Sequence, residues 1–462
     1  MAELIPDKVS KTYIIKITTV AALGGLLFGY DTAVIAGAIG FLQEKFQLSP
    51  VLVGWAASSA IWGCVAGAMV AGYASDKWGR KKVLIFTALL FFISALGSAI
   101  ANDLTTFVLA RFVGGLGVGA ASMLSPLYIS EVAPAKIRGT LVSVYQLAIV
   151  LGINIIYIVN YWISGYGTSD WNINYGWRYM LGSETIPAII FFVLLFTVPE
   201  SPRWLLKKGK DLIARDILKK VNGKQASEIE IEIKSTLNEE KGSLKELFGK
   251  RYRMALTIGV VLALFSQITG INAVIYFAPE IFKSIGIGVE SALSQTILIG
   301  LINTIFTFVA LGLIDKAGRR KLLLVGVSGM IVCLLGTGLC FYFEIFEGPW
   351  LLLFILGFIA SFASSLGPIP WVLISEIFPT KTRGIAMSVC TLILWVGVIL
   401  ITQLTPVLLD QIGGAGTFFI FMVNALILLV FTWKFVPETK QKSLEEIEKG
   451  WREDDLIKME NR

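Results

Sequence analysis

The sequence predicts an all-α membrane protein of twelve transmembrane helices, arranged as two six-helix bundles with short cytoplasmic helices. Three observations predict it. Hydrophobic residues make up 55% of the 462 and charged residues only 16%, against about a quarter charged in soluble domains. Apolar stretches of about 20 residues, the length that crosses ~30 Å of hydrocarbon, recur along the whole chain. Finally, two ionic motifs occur twice: "SDKWGRKK" (75–82) returns as "IDKAGRRK" (314–321), and "ISEVAPAKIRG" (129–139) as "ISEIFPTKTRG" (374–384). Each pair follows the second and fourth spans of its half. Halves repeated in one orientation are related by an axis along the membrane normal, with substrate expected between them near mid-depth.

The spans of the first half (1–198) read 14–40, 51–74, 83–101, 106–129, 140–163 and 178–198. The first run is too long for a signal-peptide core and lacks a small-residue cleavage pattern, so it counts as a span. A charged linker (199–254) follows, with three or four short surface helices expected. Ser201-Pro202 reads as an N-cap before a proline at the first helical position, and Ser227…Glu230 and Ser243…Glu246 fit capping boxes. The second half (255–436) holds spans 255–282, 293–314, 322–343, 350–376, 385–408 and 417–436, where Gly367-Pro368-Ile369-Pro370 should break the tenth. The tail (437–462) predicts one more helix, with Ser443 and Glu446 as its box.

Most of the 40 Lys and Arg fall in both termini, the linker and the motif turns, while the alternate connections carry only Lys45, Arg178 and Lys283. Basic residues collect on the cytoplasmic side, so both termini are expected there, in the inner cell membrane. The charge of +7 is therefore topology, and no nucleic acid is implied. Cys64, Cys333, Cys340 and Cys390 lie within spans and lack metal-ligand spacing, so they read as packing residues, with no metal or cofactor implied. No histidine, no clustered cysteines and no paired intramembrane carboxylates are evident, which argues against an enzyme.

Asp76, Arg80, Glu131 and Arg138 form an acid-base quartet at one end of the first half, and Asp315, Arg319, Glu376 and Arg383 repeat it. Such pairs can latch the cytoplasmic side, and are worth more where partly desolvated. Asp31 lies inside "LGGLLFGYDTAVIAG". A charge at the bilayer centre costs at least ~2.5 kcal/mol, so it needs a partner, water or a proton. Arg111 is the nearest candidate, since helix rise puts Asp31 ~14 Å and Arg111 ~8 Å below the outer ends of their spans.

"GYDTAV", "DKWGRKK", "PESPRWL", "QITGIN", "DKAGRRK", "ISEIFPTKTRG" and "VPETK" span nearly the whole chain in order. In these motifs the chain resembles the sugar porter family of the major facilitator superfamily, and most of all its bacterial D-xylose/proton symporters. The resemblance implies the major facilitator fold, alternating access, and an Asp31–Arg111 proton-coupling pair that facilitators lack. Without histidine, a cycling proton would ride on a carboxylate whose pKa depends on its surroundings. For the sugar, amides and flat apolar faces are required. Gln146, Gln267, Asn272, Tyr276, Asn303, Trp371 and Trp395 match the family's sugar-site positions. Phe28, one turn before Asp31, and Tyr157 join them as candidates. Thr269-Gly270 is expected to bend the backbone so that both span-seven amides turn inward. Ser266, Ile153 and Leu394 stand where the xylose symporters have glutamines, which leaves the sugar open. The expected function is proton-coupled monosaccharide import by a monomer, with the sugar, the proton and the lipid bilayer as its partners. A passive uniporter and a polyol (inositol)/proton symporter are the alternatives.

Overall fold

The computed structural model describes residues 10–134, 137–237, 244–249, 252–378 and 380–440. Of the expected features, the helix capped by Ser443 and Glu446, the N-cap Ser243 and the side chain of Asp315 lie outside the described residues. Ten helices among the described residues are long and apolar enough to cross a membrane. The chain divides into two units, Met1–Ser49 with Trp55–Glu239, and Pro50–Gly54 with Glu240–Arg462.

In the first unit, α1 (Lys11–Phe46), α2 (Pro50–Trp78, apart from Pro50–Gly54), α3 (Arg80–Ile100), α4 (Leu104–Val132) and α5 (Arg138–Tyr166) are long single helices. The sixth, α6 (Ser169–Leu195), begins earlier than the sequence suggests and carries a π turn at Asn172–Gly176. Small residues set the packing. A Cβ on Gly29 would collide with the Ile149 carbonyl, and one on Gly152 with that of Leu26, so α1 and α5 touch backbone to backbone. Gly63 and Gly67 of α2 meet α4 at Phe112 and Leu116 in the same way, while Gly115 and Gly119 return the contact at Ala60 and Cys64. In a membrane, where burial between helices gains nothing over lipid, such close approach is what holds helices together. Cys64, fully buried at this crossing, is a packing residue.

The linker contributes α7 (Pro202–Lys207), α8 (Asp211–Asn222), α9 (Ala226–Leu237) and the short α10 (Leu244–Leu247). Ser201 caps α7 by accepting from the Trp204 N–H at 3.3 Å, with Pro202 in the first turn. The Ser227…Glu230 capping box does not form. A 3-10 turn (Gly223–Gln225) runs straight into α9, placing Ser227 inside the helix. Glu230 instead pairs with Arg215 at 2.8 Å and with Lys234 at 3.1 Å.

The second unit holds α11 (Arg253–Ile268), α12 (Ile271–Lys283), α13 (Val289–Ala317), α14 (Arg319–Tyr342), α15 (Trp350–Ala363), α16 (Ile369–Ile377) and α17 (Thr380–Phe435). Two breaks fall where the sequence places them. Gly270, at φ 95, separates α11 from α12, and the turn before Ile369 separates α15 from α16. The two spans expected at 385–408 and 417–436 form one run, α17, interrupted only by non-helical backbone at Gly413 (φ 68).

Candidate functional site

The first unit buries an ionic cluster. Asp31 is fully buried on α1, and Arg111 of α4 is 2% exposed. Arg111 Nη1 donates to Asp31 Oδ1 at 2.5 Å, and Nη2 to the Asp31 carbonyl at 2.8 Å. The sequence reading found this pair but missed its third member. Glu184, 1% exposed on α6, is buried close enough to Asp31 and Arg111 to interact with both. The expectation of no paired intramembrane carboxylates is therefore wrong. Glu184 sits a few residues inside the expected start of span six, where an acid reads as interfacial, and only the packing of α6 on α1 carries it inward. Asp31 Oδ2 and Glu184 Oε1 find no N–H or O–H donor among the described residues.

Phe28 and Gln146 are half-buried in the same unit, Phe28 one turn before Asp31, while Tyr157 is buried on α5. Ile153, seven residues after Gln146 on that helix, is also buried.

In the second unit the break at Gly270 organises the span-seven amides. A side chain there would enter the Phe421 ring, and the φ of 95 suits glycine alone. Asn424 Nδ2 donates to the Ile268 carbonyl at 2.9 Å, satisfying an acceptor that the break releases. Across the break, Asn272 Nδ2 donates to Gln267 Oε1 at 2.6 Å. Gln267 Nε2 in turn donates to Ser266 Oγ at 3.0 Å, and that hydroxyl donates to the Ala263 carbonyl at 2.8 Å. The regular-helix offset that would splay Gln267 and Asn272 apart is thus cancelled, and a serine holds the glutamine. Tyr276 and Trp395 are buried, and Asn303 and Trp371 half-buried, in this unit.

At the motif ends the two units carry the same construction. Arg80 donates to Glu131 through Nε at 2.9 Å and Nη2 at 3.0 Å, and through Nη1 to Asp76 at 2.9 Å. Glu131 also accepts from Ser201 Oγ at 2.5 Å. Arg319 Nη2 donates to Glu376 at 2.8 Å, and Glu376 accepts from Thr439 Oγ1 at 2.5 Å. Arg138 is exposed at the start of α5, and Arg383 donates to the Phe378 carbonyl at 3.4 Å. Among the described side chains, the first quartet thus forms an Asp76–Arg80–Glu131 cluster with Arg138 exposed beyond it, and the second an Arg319–Glu376 pair.

Two further acids complete the pattern. Glu200 accepts from the backbone N–H groups of Arg80 at 2.9 Å and Lys81 at 3.1 Å, and Glu438 does the same for Arg319 at 2.9 Å and Arg320 at 3.1 Å. Each carboxylate closes the N-terminus of the helix after the turn, where the orphan N–H groups and the macrodipole favour it. The turns are matched too, with Gly79 at φ 106 and Gly318 at φ 92, and a Cβ on either would meet the capping carboxylate. These acids lie in "PESPRWL" and "VPETK", so the signal was present in the sequence, but not the partner.

Known proteins resemble this chain over nearly all of its described length. Residues 17–451 match the family model described as sugar (and other) transporter. The arabinose-proton symporter of Bacillus subtilis is 46% identical over 444 residues, covering 96% of each chain. The D-xylose-proton symporter of Escherichia coli K12 is 42% identical over 477 residues, again 96% of each. Among solved structures, the inward-open xylose transporter XylE from E. coli superposes with a TM-score of 0.85 at 41% identity, over 95% of this chain and 100% of that one. A chain with this duplicated motif set, matched from end to end, belongs to the sugar porter family of the major facilitator superfamily.

Proposed function

We propose that this protein imports a monosaccharide together with a proton by alternating access, with a pentose as the first candidate. The relatives named as arabinose- and xylose-proton symporters support that reading. The observation that carries it is the buried Asp31–Arg111–Glu184 cluster. Two acids and one arginine hold a net charge of −1 when fully ionised and zero with one proton, so loading a proton removes a buried charge. A passive facilitator has no use for that second acid.

Phe28, Gln146, Tyr157, Gln267, Asn272, Tyr276, Asn303, Trp371 and Trp395 supply the donors, acceptors and ring faces that a neutral sugar requires. The Gln267–Asn272 bridge keeps two amides ordered before sugar arrives, which lowers the entropy cost of binding. Arg80–Glu131 and Arg319–Glu376 serve the cytoplasmic gate. Counting α11 with α12 and α15 with α16 as single broken spans, and α17 as two, supports a reading of twelve spans among the described residues, an even number that suits termini on one side, and the basic motif turns favour the cytoplasm for that side.

The test is uptake into proteoliposomes in weak buffer, with a pH electrode outside. Alkalinisation that tracks arabinose or xylose entry is expected. Sugar entry without proton movement would replace symport by facilitation. A competition panel of pentoses, hexoses and polyols against one labelled sugar identifies the substrate.

A further inference from the structure

Within the first unit, at the end of the bundle away from the ionic motifs, α5 and α6 part around a groove of about 970 Å³. Its walls are aromatic: Trp162 and Tyr166 from α5, Trp171, Tyr175 and Tyr179 from α6. Four of these rings are largely open, Trp162 at 70% exposure, Tyr166 at 85%, Tyr175 at 57% and Tyr179 at 62%. Further along both helices the exposed surface turns aliphatic, with Ile186, Ile190 and Val193 on α6 and Leu151 and Ile155 on α5. Aromatic rings at the end of a span and aliphatic residues along it match the headgroup and hydrocarbon levels of a bilayer.

One residue of the groove is out of keeping with its neighbours. Arg178 lines it, on the side of the membrane where the sequence places almost no basic residues. Its guanidinium donates to the Ala99 carbonyl at 2.9 Å and to Asn102 Oδ1 at 3.2 Å, and lies 4.4 Å from the Trp177 ring centroid. These acceptors are neutral, and no ion pair joins Arg178 to a carboxylate among the described residues. The groove thus presents an unneutralised cation flanked by phenols above an aliphatic slot. A guanidinium with spare N–H groups suits a phosphate geometrically and electrostatically.

We propose that this groove is a binding site for an anionic phospholipid, with the phosphate at Arg178 and one acyl chain along the α5–α6 seam. Sugar is a poorer occupant, because Trp171 and Tyr179 stack on each other at 5.7 Å and so leave fewer free ring faces. The site adjoins the proton cluster. Ser183 lines the groove, its hydroxyl meets that of Tyr30 at 2.8 Å, and the two residues directly precede Glu184 and Asp31 in the chain.

The experiment is native mass spectrometry of the full-length protein released from nanodiscs of equal parts phosphatidylglycerol and phosphatidylcholine. One basic residue near a membrane surface is worth about 1 kcal/mol, or about fivefold in affinity for an anionic lipid. Arg178→Gln should therefore lose about fivefold in phosphatidylglycerol retention with phosphatidylcholine unchanged, and Arg178→Lys should keep most of the preference. Trp162→Ala should weaken retention of both lipids. Unchanged thermal midpoints and sugar exchange establish that the variants are folded. Equal phosphatidylglycerol retention by the wild type and Arg178→Gln would overturn the proposal. Displacement of the lipid by millimolar glycerol phosphate would also do so, since the site would then recognise free phosphate.

Discussion

Replacing Asp31 by asparagine separates the two tasks assigned to the buried cluster, moving a proton and balancing Arg111. With one proton per sugar, a membrane potential of about 100 mV supplies about 2.3 kcal/mol, enough for roughly 50-fold accumulation. Asp31→Asn should bring that ratio to about one, while exchange of labelled for unlabelled sugar across de-energised liposomes continues. Removing one partner of a buried pair commonly costs about 3–5 kcal/mol, because the other charge is left alone. Here Glu184 touches the same site, so it can ionise and neutralise Arg111 in place of Asp31. The single variant should therefore stay folded, with a modest drop in thermal midpoint, whereas Asp31→Asn combined with Glu184→Gln should suffer the full penalty. Proteoliposome accumulation under a potassium diffusion potential, counterflow exchange and thermal midpoints in detergent supply the three readouts. Concentrative uptake surviving in Asp31→Asn, or a double variant as stable as the single one, would refute the reasoning.

Ser266→Ala removes the acceptor for Gln267 Nε2. A lost hydrogen bond of about 0.5–1.5 kcal/mol should raise the KM for sugar by about 2- to 13-fold, with rescue by threonine. Gly270→Ala forces a Cβ into the Phe421 ring at a left-handed φ. A strain of about 1–3 kcal/mol should pull Asn272 away from Gln267 and raise KM while the bulk of the fold persists, as measured by uptake kinetics beside circular dichroism. Glu200→Ala and Glu438→Ala each remove an N-terminal cap. Each should cost about 0.5–2 kcal/mol, with the thermal shifts adding in the double variant because the sites lie in different units. Glu230 is held down to about 2 from 4.5, first by its hydrogen bond to Arg215 and further by Lys234. A depressed carboxylate pKa stabilises above the unfolded value and is lost as pH falls through the folded one. Glu230→Gln should therefore speed hydrogen exchange in α8 and α9 at pH 7, and the difference from wild type should fade between pH 4.5 and 2.

Much of this architecture is legible in the sequence because membranes impose strong periodic constraints. Hydrocarbon thickness fixes span length, and duplicated turns announce duplicated halves. Asp31 and Arg111 pair by depth and by the family resemblance together, since few residues in oil can answer a carboxylate. The break at Gly270 followed from a glycine between two amides that a straight helix would hold apart. Glu184 escaped because its role depends on which face of α6 meets α1, a tertiary fact with no local signature. Glu200 and Glu438 escaped for a related reason, as each caps a helix far away in the chain. The seam between the spans expected at 385–408 and 417–436 is legible too, since Gly413 falls in the gap between them, although one glycine rather than a loop divides α17.

The duplicated carboxylate caps set practical limits on shortening the molecule. Glu438 and Thr439 fasten the α13–α14 turn and Glu376, and Lys440 Nζ donates to the Lys316 carbonyl at 2.6 Å. A truncation at the end of α17 would look harmless on a hydropathy plot yet would unclip the second unit. Any shortened version of the transporter must keep that short hook through Lys440.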